Sequence, residues 1–166
     1  MAPLELHPDR LLPSEPGVRA IARALFAEIE TAPIVSPHGH VDAALLADDE
    51  PFANAADLFV TPDHYVTRLL HAVGVPLPEL GLRGRDEPAP PREVWRKLCE
   101  HWDVFAATPS RTWLETELVE VFGVHDVPSP ATSDTIFDEI ADRLAEPAYR
   151  PRALYERFGI DVLATT

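Results

Sequence analysis

His38-Gly39-His40 puts two imidazoles at positions i and i+2. In an extended segment those positions point the same way, so both rings reach one ion, and Gly39 removes a side chain that would crowd the approach. Pro33-Ile34-Val35-Ser36-Pro37 precedes them, a short apolar run bounded by prolines that reads as a buried strand with the pair at its C-terminal end. Zinc needs at least three protein ligands, and Asp42 is the nearest further candidate. Two surface histidines in a loop after the strand are the alternative. A second constellation is Asp63-His64-Tyr65 followed by Arg68. Asp63 can cap a helix start, which leaves His64 and Tyr65 to project past the helix end with Arg68 one turn on. A tyrosine beside a cation can donate a proton, and the planar arginine fork suits a carboxylate. A capped surface helix explains the same residues without chemistry.

The elements that must carry these groups follow from periodicity. Val18, Ile21, Ala22, Leu25, Phe26 and Ile29 recur at helical spacing, with Ser14 as the expected N-cap and Pro16 in the first turn. Residues 1–15 carry no period and read as a wrapping arm. Further helices are expected over 63–73, 91–105, 112–122 and 133–145, followed by a short one from Pro151 to Phe158 and a second buried strand from Ile160 to Thr166. Leu80 to Pro91 reads as an exposed loop. Trp95, Trp102 and Trp113 sit at helical spacing and are expected in the core, as is Cys99. His71, His101 and His125 have no partners at ligand spacing. Two strands with more than a hundred helical residues between them predict an α/β fold whose parallel sheet lacks its other strands.

Composition narrows the partners. Asp and Glu total 28 against 14 Lys and Arg, a formal charge of −14 over 166 residues, and no basic cluster offsets it. Such a field repels phosphate backbones and acidic membranes, so neither nucleic acid nor membrane is an expected partner. One cysteine, no apolar run of membrane length and no signal pattern fit a cytoplasmic location. Eighteen prolines against seven glycines predict short, punctuated helices. Phosphate-binding loops, nucleophile elbows and CxxC pairs are absent from the sequence.

Taken in order, His38-x-His40, Asp57-Leu58, Asp63-His64-Tyr65-x-x-Arg68, Thr112 to Gly123 (TWLETELVEVFG), Ser129-Pro130-Ala131-Thr132 and Ile160 to Thr166 resemble uronate (glucuronate) isomerases of the amidohydrolase superfamily. The resemblance implies an N-terminal fragment of a metal-dependent (β/α)8 TIM barrel: arm, helix and strand 1 over residues 1–41, an inserted helical subdomain over 42–150, and a helix with strand 2 over 151–166, where the chain is cut short. It implies aldose–ketose isomerisation of D-glucuronate to D-fructuronate, or D-galacturonate to D-tagaturonate, by proton transfer between C2 and C1 through an enediol. His38 and His40 match ligands of a divalent metal, usually zinc. Tyr65 and His64 match catalytic and substrate-binding positions, and Arg68 is a further candidate for binding the hexuronate. The complete enzyme is implied to be a homo-oligomer, and these residues alone to be inactive. A different amidohydrolase-type metal hydrolase and a non-catalytic helical binding module remain as alternatives.

Overall fold

The computed structural model describes residues 3–82 and 89–165. Its elements run α1 (Pro16–Ile29), β1 (Ile34–Ser36), α2 (Ala43–Asp48), α3 (Ala55–Phe59), α4 (His64–Ala72), α5 (Pro91–Glu100), α6 (Pro109–Thr116), α7 (Ser133–Leu144), α8 (Pro151–Arg157) and β2 (Ile160–Leu163). Short 3-10 turns cover Leu77–Leu80, Trp102–Phe105 and Pro147–Tyr149, and a π turn over Glu117–Val121 continues α6. The chain divides into two compact units, Met1–Leu6 with Phe52–Glu146, and His7–Pro51 with Pro147–Thr166. Residues 42–51, expected in the helical insertion, belong to the unit that holds the strands.

The first unit is helical and holds the core. Val94, Trp95, Leu98 and Cys99 of α5 are buried, as are Ile136, Ile140 and Leu144 of α7. Trp95, Leu98 and Cys99 fall at i, i+3 and i+4, and Ile136, Ile140 and Leu144 at i, i+4 and i+8, which makes one apolar stripe on each helix. The buried Trp95 indole donates to the Ser133 carbonyl at 2.9 Å, which satisfies the one polar atom of that side chain. The helix expected over 91–105 stops at Glu100 and resumes as the 3-10 turn that buries Trp102 and Phe105. Leu80, expected in an exposed loop, is fully buried, and Ala89 is buried as well. Residues 83–88 of that loop lie outside the described residues. At the start of the arm the Leu4 amide donates to the His125 carbonyl at 2.6 Å, and Leu4 is buried.

In the second unit β1 and β2 pair in parallel, Ile34 with Ile160 and Ser36 with Leu163, with an irregularity after Ile34. A parallel pair needs a crossover, and here residues 37–159 supply it. The C-terminal end of α2 is closed by Arg152, whose guanidinium donates to the carbonyls of Leu46 at 2.7 Å and Ala47 at 2.5 Å. Asp49, left-handed at φ 54°, accepts from the Arg152 amide at 2.9 Å. A cation on unpaired C-terminal carbonyls stabilises the helix and fixes α2 against α8.

Four sequence expectations change here. Glu15, not Ser14, caps α1, its carboxylate accepting from the Gly17 and Val18 amides. The apolar stripe of α1 is exposed, Ile21 and Ile29 each to 63% and Leu25 to 65%, and the strand residues Val35 and Val162 are also open. Periodicity identifies an apolar face but not what covers it, and no described element lies over this one. Trp113, expected in the core, is 52% exposed. The buried line of that helix is Leu114, Leu118 and Phe122, so Trp113 falls one step round from it.

Candidate functional site

The second unit presents the histidine pair. The Ala164 amide donates to the Ser36 carbonyl at 2.8 Å, the Ser36 hydroxyl to the His38 carbonyl at 3.1 Å, and the Thr165 hydroxyl bonds the Val41 carbonyl. These bonds hold the His38–Val41 turn at the C-terminal ends of both strands. The two exposed rings stand edge to face with centroids 4.8 Å apart, and their Nε2 atoms converge to 3.2 Å. Two lone pairs that close repel unless a proton or a cation lies between them. Two ligands on tetrahedral zinc at ordinary Zn–N lengths lie about 3.3 Å apart, so the pair fits two corners of such a site.

Asp42 does not join them. Its carboxylate accepts from the Ala44 amide at 2.9 Å and caps α2. No cluster of three His, Cys, Asp or Glu groups suited to a metal occurs among the described residues. At Gly39 an added Cβ would lie 3.4 Å from the Ala164 carbonyl oxygen and 3.6 Å from Leu163, at the strand side of the turn. The glycine therefore matters less for access to the imidazoles than its position between them suggested.

The first unit presents the second constellation at the start of α4. The Asp63 carboxylate accepts from the amides of Tyr65 at 2.7 Å and Val66 at 3.3 Å. Buried Val66, Thr67 and Leu70 anchor the helix, and the Thr67 hydroxyl donates to the Asp63 carbonyl at 3.1 Å. With that face committed to the core, His64, Tyr65 and Arg68 point outward together. The His64 and Tyr65 rings lie 4.2 Å apart, and the Arg68 guanidinium sits 5.3 Å from the Tyr65 centroid. The result is an exposed phenol with an imidazole and a guanidinium beside it. Such a group can bind an anionic, hydroxyl-bearing molecule and hand it a proton.

Two neighbours escaped the sequence reading. Trp113 meets the Tyr65 ring edge to face at 6.2 Å and 76°. Glu117, one helical turn further on, is half-buried, and its carboxyl is pushed up to about 7 by burial and by the Asp63 carboxylate. The line of Leu114, Leu118 and Phe122 was the available signal, because it sets Trp113 and Glu117 together on the adjacent strip. Cys99 is buried as expected, and burial pushes its thiol up to about 12, so it is no nucleophile. His71 and His125 are occupied by backbone, with Nδ1 3.0 Å from the Val75 carbonyl and 3.3 Å from the Leu4 carbonyl.

Comparison with known proteins covers nearly all of this chain. The sequence profile of glucuronate isomerase matches residues 17–166. Uronate isomerase of Rhizorhabdus wittichii is 50% identical over 165 residues, covering 99% of this chain and 35% of the relative. The crystal structure of glucuronate isomerase from Caulobacter crescentus superposes with a TM-score of 0.94 at 44% identity, over 98% of this chain and 34% of that one. Uronate isomerase from Thermotoga maritima gives 0.82 at 27% identity, over 97% and 33%. The chain thus spans about a third of the length of these relatives, and with a family match running from α1 through β2 it belongs to the glucuronate isomerase family.

Proposed function

We propose that this chain is the first part of a uronate isomerase that interconverts D-glucuronate and D-fructuronate, or D-galacturonate and D-tagaturonate. One observation carries the reading: the family match over residues 17–166 includes both the converging His38–His40 pair and the His64–Tyr65–Arg68 cluster. The exposed apolar stripe of α1 and the open faces of Val35 and Val162 support completion of a (β/α)8 barrel by the remaining two-thirds of a family-length chain.

The reaction takes a proton from C2 of the open-chain aldose and protonates its carbonyl oxygen, which gives an enediol. The C2 hydroxyl then loses its proton while C1 gains one, and the ketose results. In this reading His38 and His40 would hold a divalent ion, with the remaining ligand supplied from outside the described residues. Such an ion, when bound, supplies Lewis-acid polarisation of a carbonyl or hydroxyl oxygen. Arg68 engages the substrate carboxylate with its planar fork, and Tyr65 serves as the proton donor to a sugar oxygen with His64 beside it.

The test is turnover by the complete family-length polypeptide loaded with zinc, followed by proton NMR of the sugar. Glucuronate or galacturonate is expected to convert to the matching ketose, and Tyr65→Phe to lower kcat by about 10²-fold. Failure of the wild-type polypeptide to convert either uronate overturns the proposal.

A further inference from the structure

Tyr65 is held by more than its own helix. The residue is 46% exposed, so core packing does not fix the phenol. Arg68 and His64 touch the ring from α4 itself, and Trp113 meets it from α6. Trp113 is itself half-exposed, while Trp95 and Trp102 are buried. An edge-to-face aromatic contact restricts both rings and adds attraction beyond the area it buries.

Glu117 lies four residues beyond Trp113, on the same side of the helix, and its carboxyl feels the charge of Asp63, the N-cap of α4. The helix changes there from α to π over Glu117–Val121, a local widening that is frequent at functional sites. Leu118, packed in the core beside this strip, fixes its rotation.

We propose that Trp113 is a positioning residue: it forms a second wall of the His64–Tyr65–Arg68 site and fixes the direction in which the Tyr65 phenol presents its proton. The proposal rests on the reading of Tyr65 as proton donor. It assigns Trp113 an action through Tyr65, not contact with the reacting atoms.

The experiment uses the complete family-length polypeptide and the variants Trp113→Ala, Trp113→Phe, Tyr65→Phe and Trp113→Ala with Tyr65→Phe. Trp113→Ala is expected to lower kcat at least tenfold with KM within twofold, and Trp113→Phe to restore most of the loss because a phenyl ring keeps the edge-on contact. In the Tyr65→Phe background the alanine change is expected to cost less than twofold, since its effect runs through the phenol. Equal damage by phenylalanine and alanine, a loss below tenfold, or full multiplicativity with Tyr65→Phe overturns the proposal. A readout independent of turnover is the fluorine NMR signal of 3-fluorotyrosine at position 65. That signal is expected to shift and broaden in Trp113→Ala, and an unchanged signal overturns the proposal even if Trp113→Ala turns over poorly. An inactive wild type with a shifted signal counts against the isomerase reading and leaves the Trp113–Tyr65 coupling standing.

Discussion

Asp63 links the order of α4 to the ionisation of its neighbour across the helix pair. Its carboxylate satisfies two amides of the first turn, and its charge helps to raise Glu117. Replacing a capping Asp by Ala costs about 1 kcal/mol, whereas Asn caps nearly as well without the charge. Asp63→Ala is therefore expected to lower unfolding stability by about that amount in urea titrations, and Asp63→Asn by little. Asp63→Asn should move the Glu117 midpoint downward, yet leave it above the ordinary range, because burial is the larger cause of the shift. The sign for stability follows from proton linkage. The folded state binds the Glu117 proton up to about pH 7, and the unfolded chain releases it near 4.3. The stabilising contribution of the neutral carboxyl is thus full below pH 4 and is lost as pH rises through 7. Allowing for partial exposure, it is on the order of 1–2 kcal/mol. Glu117→Gln should remove that part of the slope, and pH-dependent urea unfolding of both forms measures it. At the other constellation, His38→Ala and His40→Ala are each expected to weaken zinc binding at least tenfold in calorimetric titration of the complete polypeptide. A wild-type affinity retained by either variant would remove the pair from the metal site.

At the scale of elements, helix ends and turns decide where side chains face. Gly81 ends the 3-10 turn Leu77–Leu80 at φ +78°, and a Cβ there would lie 2.7 Å from the Thr61 hydroxyl oxygen. Gly123 follows the π turn at φ +68° with open space around it. Both positions disfavour a side chain through the backbone alone, but Gly81 adds a collision next to the buried Leu80. Gly81→Ala is accordingly expected to cost roughly 2–3 kcal/mol and Gly123→Ala about 1, as read from thermal or urea unfolding. Equal costs would show that Thr61 rotates away freely. Helix existence was legible in the apolar spacing of residues 16–29, 64–72, 91–100, 133–144 and 151–157, because a 3.6-residue period needs no tertiary information. The short helices Ala43–Asp48 and Ala55–Phe59 were not, since five or six residues are too few to establish a period. Their starts carried a local signal in Asp42 and Asn54, which cap them with side-chain oxygens.

At the scale of the molecule, an exposed apolar stripe on α1 and a two-stranded parallel sheet are unusual end states for an α/β chain. The 166-residue polypeptide expressed by itself is expected to bind a hydrophobic dye and self-associate, and Ile21→Glu with Leu25→Glu to suppress both. Dye binding unchanged by that pair would move the sticky surface elsewhere. This polypeptide is also expected to show no uronate turnover, as measured by NMR beside the complete protein. No helix among the described residues is long and apolar enough to cross a membrane. What the sequence by itself determined was local or ordered along the chain: the His38-x-His40 spacing after a strand, the capped start of α4, the parallel strand pair implied by its long crossover, and the succession of motifs that carries the family resemblance. The tertiary structure decided which apolar faces are covered, so that α1 lies open and Leu80 is buried. It alone brought Trp113 to Tyr65, and Glu117 within the field of Asp63. The physical reason is that spacing fixes direction only within an element, whereas burial and contacts between residues some fifty positions apart depend on how whole helices pack.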